Sequence, residues 1–151
     1  MRYKDLSPKS LSHFQNRVAK VEENTERRWG VMTPAQMLVH VNLLIKTSLG
    51  ELPIEGNGQV PFRWLKLIVL SGVFPFPRNK LKAPPILLTD EPGNVSKARE
   101  DLEGSITRFL GLCHSEPDRV QTNPVFGPLS MTQWTRLHGL HLNHHLDQFG
   151  I

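Results

Sequence analysis

Four histidines lie within eight residues near the end of the chain: His138, His141, His144 and His145. On a helix, side chains four residues apart lie on one face, with Cβ atoms about 5–6 Å apart. A first-row metal ion binds imidazole nitrogen at about 2.0–2.1 Å, so His141 and His145 could reach one ion from a single helix. The alternative is a solvated, histidine-rich helix end. We favour the metal site because Trp134 lies on the same face and needs a core.

A third histidine, His40, interrupts an apolar helical stripe that includes Met37, Val41, Leu44 and Ile45. Taken alone, such a histidine is more often a core residue with satisfied hydrogen bonds. Opposite the histidine pair it would complete three imidazole ligands with one open position, as in catalytic metal sites. These ligands suit zinc, nickel, copper or iron, and we expect zinc or nickel, although the ligands do not decide the metal. The predicted metal ligands are His40, His141 and His145.

Residues around the predicted site could orient the ligands or line a pocket. Gln148 lies one turn after the histidine pair, where it could bond the second ring nitrogen of a ligand. His144 points about 100° away from His145, where it could support a ligand, line the site or be partly exposed. For His138 packing is the simpler interpretation, and Trp134 is the remaining pocket candidate.

The sequence identifies no catalytic acid, base or nucleophile. Leu142 follows His141, so the glutamate of the HExxH motif of zinc proteases is missing. There is no G-x-S-x-G segment and no glycine-rich phosphate loop. The catalytic residues are therefore unknown, and a water activated by the metal could itself serve.

Apolar periodicity predicts four helices that position these residues, over about 7–21, 33–50, 94–113 and 130–150. The second and fourth begin with the capping boxes TPAQ and SMTQ, which start at Thr33 and Ser130. Gly50 and Gly150 are typical helix ends. The 41 residues at 51–91 are best explained as a crossover between the second and third helices, with a short extra helix in FRWLKLIVLSGVF.

The predicted fold is therefore all-α: one domain, residues 1–151, forming an up-down-down-up four-helix bundle. The net charge of +4 is scattered along the chain, so a nucleic-acid partner is disfavoured. A single cysteine, Cys113, cannot form an internal disulfide. The first ten residues lack an apolar signal region, and the longest apolar run is too short to span a bilayer. We therefore expect a cytoplasmic protein without a transmembrane segment.

The chain resembles the DinB/YfiT-like superfamily of metal-binding four-helix bundles, in an uncharacterised branch known as a domain of unknown function. The resemblance rests on WGVMTPAQMLVHVN and on NPVFGPLSMTQWTRLHGLHLNHHLDQFG. The family pattern of one histidine in the second helix and HxxxH in the fourth falls on His40, His141 and His145. The resemblance implies a divalent metal, often a homodimer, and activities such as transfer of low-molecular-weight thiols or hydrolysis. The branch often has histidine where Asn123 stands, and we assign that position no role.

The sequence is compatible with three functions. The first is a metal-dependent enzyme in which the ion activates a thiol or a water against a small-molecule substrate. The second is a non-catalytic bundle that binds a metal or a small molecule, in a stress-related role. The third is an interaction module in which segment 62–74, with Arg63 and Lys66 beside Trp64, docks on a membrane, on a second subunit or over the metal pocket. Packing of this segment on its own bundle is the simpler interpretation.

Overall fold

The computed structural model describes residues 3–52, 63–72 and 83–151, with the backbone alone at 63–65. This part of the chain is mostly helical. The helices are α1 (Leu11–Val18), α2 (Pro34–Leu49), α3 (Arg63–Ser71), α4 (Val95–Ser115) and α5 (Met131–Gln148), with a 3-10 turn at Pro85–Leu87. Two short strands, β1 (Val120–Asn123) and β2 (Gly127–Ser130), lie between α4 and α5.

Both capping boxes predicted from the sequence are confirmed. Thr33 accepts the backbone N–H of Gln36, and the Gln36 side chain accepts the N–H of Thr33. Ser130 and Gln133 make the same reciprocal pair at the start of α5. These pairs satisfy two of the N–H groups that a helix leaves unbonded at its start, which fixes where α2 and α5 begin.

The first helix is shorter than its periodicity predicted. It begins at Leu11 because Ser10 bonds back to Ser7, which turns the chain before the helix. It ends at Val18, although Val21 beyond it is still fully buried. The apolar spacing thus indicated the burial of Val21 correctly, but the helix ends before that residue.

The described chain is mostly helical, as expected, but it also contains a hairpin that the sequence analysis did not predict. Strands β1 and β2 pair antiparallel, with Val120 opposite Ser130 and Asn123 opposite Gly127. Asn123 Oδ1 accepts the N–H groups of Val125 and Phe126 at 2.8 Å each, which closes the turn between the strands. Asparagine favours this kind of turn because its short side chain mimics a backbone carbonyl.

Helices α2 and α5 are central to the described core. Helix α2 packs against α4 and α5, and α5 also contacts α1 and α3. The backbone of the N-terminal segment crosses α5 so closely that a Cβ at Gly139 would lie 2.1 Å from the carbonyl oxygen of Lys4. Only glycine allows this approach. The up-down-down-up order of the four long helices stays a prediction.

The expected helix in the crossover is present as α3. Arg136 on α5 donates to the carbonyls of Leu70 and Ser71, in the last turn of α3, where carbonyls have no partner within the helix. Lys66 donates to the carbonyl of Pro128 at 2.7 Å. Helix α3 thus packs on its own domain, while Leu67 remains exposed. Residues 53–62 and 73–82 of the crossover, and the side chains of Arg63 and Trp64, lie outside the described residues. No described helix is long and apolar enough to cross a bilayer.

Candidate metal centre

Three buried histidines from two helices meet at one point. The Nε2 atom of His141 lies 3.0 Å from that of His40 on α2 and 3.1 Å from that of His145, one turn further along α5. One ring nitrogen of each residue lies within 4.8 Å of those of the other two, and all three side chains are buried. The i,i+4 spacing on α5 and the packing of α2 against α5 create this arrangement.

The backbone fixes which nitrogen of His40 carries the proton. Its Nδ1 atom lies 2.7 Å from the carbonyl oxygen of Leu87, in the 3-10 turn. A carbonyl can only accept, so Nδ1 must be the N–H. In the neutral ring Nε2 then carries a lone pair, which points at Nε2 of His141.

Gln148 fixes in a similar way which nitrogen of His145 carries the proton. Nε2 of Gln148 donates to the carbonyl oxygen of Trp29 at 2.7 Å, which fixes the orientation of the amide. Its Oε1 therefore faces Nδ1 of His145, 2.8 Å away, and accepts that N–H. Nε2 of His145 therefore carries a second lone pair that points at Nε2 of His141. Gln148 thus bonds the second ring nitrogen of His145, and its role in orienting a metal ligand stays a prediction.

This arrangement fits a cation. Nε2 of His141 can carry one hydrogen at most, so it can satisfy only one of the two lone pairs that face it. Two nitrogens bound to one ion at 2.0–2.1 Å with tetrahedral geometry would be roughly 3.3 Å apart, close to the spacing here. The three histidines could therefore hold a metal ion, and nitrogen ligands admit zinc and nickel among others.

Burial keeps the three rings neutral, as metal ligation requires. It lowers the pKa of His40, against a smaller opposing effect of the hydrogen bond to Leu87. For His145 burial is again the main cause and lowers the pKa to about 3. The pKa of His141 lies well below 6.5 because of burial and the neighbouring histidines. Proton competition for these ligands is weak near neutral pH.

The cluster lies in the wall of a cavity of about 300 Å³, at the lower end of the range for small-molecule sites. Besides the histidines, Gln148, Leu44 and Leu137, the cavity is lined by residues of the segments 29–32, 83–88 and 123–126. Val31 and Leu88 are strongly exposed members of this lining. Two of these wall segments supply carbonyl acceptors, Leu87 for His40 and Trp29 for Gln148.

The other predicted site residues divide into two groups. His144 lines the cavity, half-buried, with its ring against those of Trp29 and His145. His138 and Trp134 stack on each other within the core and are not among the cavity-lining residues. His138 donates from Nε2 to Ser48, whose hydroxyl in turn donates to a backbone carbonyl. The structure therefore places these two in packing.

Asn123 also lines the cavity, a position that the sequence alone did not predict. It precedes Pro124, and an Asn-Pro dipeptide is a turn signal that could have drawn attention to this segment. The carbonyls of Trp29 and Leu87 carried no comparable signal, because any residue type offers a backbone carbonyl.

The fold and the site together define a mostly helical protein with a buried three-histidine cluster that could hold a metal ion. The chain belongs to the family described as "Protein of unknown function (DUF1569)", whose model matches residues 1–150. No curated protein and no solved structure matches the chain. Membership of the DinB/YfiT-like superfamily remains a prediction.

Proposed function

We propose that this protein is a metal-dependent enzyme of the DinB-like helical class, which acts on a small molecule. His40, His141 and His145 would hold a divalent ion, zinc or nickel first. The single observation that supports this most is the meeting of three buried imidazoles in the wall of a small-molecule-sized cavity. A purely structural site is normally closed by four protein ligands.

The ion, when bound, would act as a Lewis acid that lowers the pKa of a thiol or a water. The side chains and backbone of the protein would orient the ligands and accept the proton. Gln148 and the carbonyl of Leu87 hold the rings of His145 and His40 with Nε2 free to bind. His144 is the one titratable side chain, apart from the three ligands, among the described residues lining the cavity. It is therefore our candidate for accepting the proton of the thiol or water.

Elemental analysis of the purified protein tests the metal site. The wild type should contain close to one equivalent of a divalent metal, and His141→Ala should contain essentially none. His114→Ala is a matched control, because His114 is an exposed histidine at the end of α4. If His141→Ala keeps its metal while remaining folded, the metal is bound elsewhere and the proposal is wrong.

A panel of low-molecular-weight thiols with an electrophile tests the activity. Turnover should require the metal, and His144→Gln should keep the metal while losing most of the turnover, since general acid–base catalysis contributes about 10²–10⁴-fold. Hydrolysis of small esters and amides by the same proteins tests the water-activating form of the proposal.

The alternative is a non-catalytic bundle that binds a metal or a small molecule, including in a stress-related role. One observation favours it: no carboxylate lies among the described residues that line the cavity. In that case the metal would bind and stabilise the fold, while neither thiols nor hydrolysable substrates are turned over. A homodimer and a cytoplasmic location remain predictions, and light scattering of the purified protein would check the first.

A further inference from the structure

Asn123 places a polar side chain in the cavity that holds the histidine cluster. It is the last residue of β1, it is only 1% exposed, and it lines the cavity beside Pro124 and Val125. Its surroundings are largely apolar, so its amide is a rare hydrogen-bonding group in this part of the lining.

The hairpin turn fixes the orientation of this amide. Oδ1 accepts the backbone N–H groups of Val125 and Phe126, both at 2.8 Å. An NH2 group cannot accept, so the oxygen must face the turn and Nδ2 must lie on the other side of the carboxamide. Among the described residues, no acceptor bonds Nδ2. Buried donors in proteins normally have a partner, so this NH2 group is available to a molecule in the cavity.

The remaining lining restricts what that molecule can be. None of the described residues that bound the cavity is Asp, Glu, Lys or Arg. Its apolar wall includes Met32, Leu44, Val125, Phe126 and Leu137. Away from the metal, a phosphate or a carboxylate would lose its hydration here without gaining an ionic partner, which is costly. The body of the ligand is therefore uncharged and mostly apolar.

We propose that Asn123 is a specificity-determining residue whose Nδ2 donates to a neutral carbonyl oxygen of a small, apolar ligand. The proposal deepens the proposed function and rests on it only in placing the reacting end of the ligand at the histidine cluster. The hairpin thus has a functional role, because it holds the donor in a fixed direction.

A pair of isosteric probes tests the proposal: acetophenone, which has a carbonyl, and α-methylstyrene, which has a methylene in its place. Both are titrated into metal-free protein, and the dissociation constants are measured by protein-observed NMR. The variants are Asn123→Asp, which keeps the oxygen that closes the turn, and Asn123→Ala, which removes the donor without adding charge. The α-methylstyrene constant reports whether the cavity survives each substitution.

The readout is the ratio of the two dissociation constants, in which the hydration of the free probes cancels between wild type and variant. Loss of one hydrogen bond should shift this ratio against the ketone by about fivefold or more in both variants. An unchanged ratio in either variant, with α-methylstyrene still bound, would overturn the proposal. Because no metal is present, the result is independent of the metal proposal, which elemental analysis tests separately.

Discussion

Gln148 lies one turn beyond His145 and accepts its Nδ1–H at 2.8 Å, while the same amide donates to Trp29 at 2.7 Å. A candidate metal ligand is thereby connected to a segment of the cavity wall by one side chain. The backbone adds to this connection, because the N–H of Arg28 donates to the carbonyl of Gln148 at 2.7 Å. The position of the 28–30 segment and the orientation of His145 therefore depend on each other.

Two substitutions at Gln148 should separate these effects. Gln148→Leu removes both hydrogen bonds, and we expect metal affinity to fall about 10–100-fold, as for other residues that orient metal-bound histidines. Gln148→Glu keeps an oxygen that accepts from His145, so it should retain most of the metal affinity, although it cannot donate to Trp29. Competition with a chromophoric chelator measures both. Equal metal affinity in the wild type and Gln148→Leu would show that the hydrogen bond does not orient the ligand.

Metal binding should raise the thermal stability of the fold. At a free zinc concentration 100 times the dissociation constant, the free energy of unfolding should increase by about 2.7 kcal/mol. Differential scanning calorimetry with zinc and with a chelator measures the change in Tm. His141→Ala should show no zinc-dependent shift, and a shift that persists in this variant would mean that zinc binds the folded protein at another position.

The free energy of unfolding should fall in acid partly because of His138. Burial lowers its pKa to about 3, against about 6.5 in the unfolded chain. Below pH 6.5 the unfolded chain therefore binds a proton that the folded protein excludes. The contribution of His138 is fully present above pH 6.5 and is lost as the pH falls from 6.5 towards 3, at about 1.4 kcal/mol per pH unit.

His138→Gln isolates this contribution, because glutamine keeps an N–H donor for Ser48 but does not titrate. Urea unfolding of metal-free protein between pH 4.5 and 8 should give a shallower pH dependence for this variant. His114→Gln, at an exposed histidine, should behave like the wild type. Parallel curves for His138→Gln and the wild type would contradict the assignment.

The features that the sequence predicted depend on residues close to one another along the chain. The bonds between Thr33 and Gln36 span three residues, so the residue types alone placed the start of α2 correctly. The 3.6-residue period likewise placed His141 and His145 on one face. The hairpin was missed because its strands have four residues each, too short for a clear alternating pattern.

The contacts that orient the ligands join distant parts of the chain. His40 lies 47 residues before Leu87, and Gln148 lies 119 residues after Trp29. Both acceptors are backbone carbonyls, which every residue type has, so the sequence does not reveal them. The histidine triad could therefore be proposed from the sequence, whereas the protonation of its rings follows only from tertiary structure.

Gly30 should be essential to the geometry of the metal centre. It has a left-handed φ of 82°, and a Cβ there would lie 2.2 Å from Nε2 of Gln148. Gly30→Ala must therefore displace the amide that orients His145. Gly93 is a matched control, with a φ of 69° and only a 3.1 Å contact to the Cβ of Ala35. Both variants carry the strain of a left-handed non-glycine residue, about 1–2 kcal/mol.

Both variants should lose stability in urea unfolding, Gly30→Ala the more because it also displaces the Gln148 amide, but only Gly30→Ala should lose metal binding. Gly30→Ala should lose metal affinity in the same range as Gln148→Leu, because both break the hydrogen bond to Nδ1 of His145. Gly93→Ala should bind metal like the wild type once differences in folded fraction are taken into account. If both glycine variants bind metal equally well, the amide of Gln148 can move without disturbing the ligand, and the proposed dependence between the 28–30 segment and His145 is wrong.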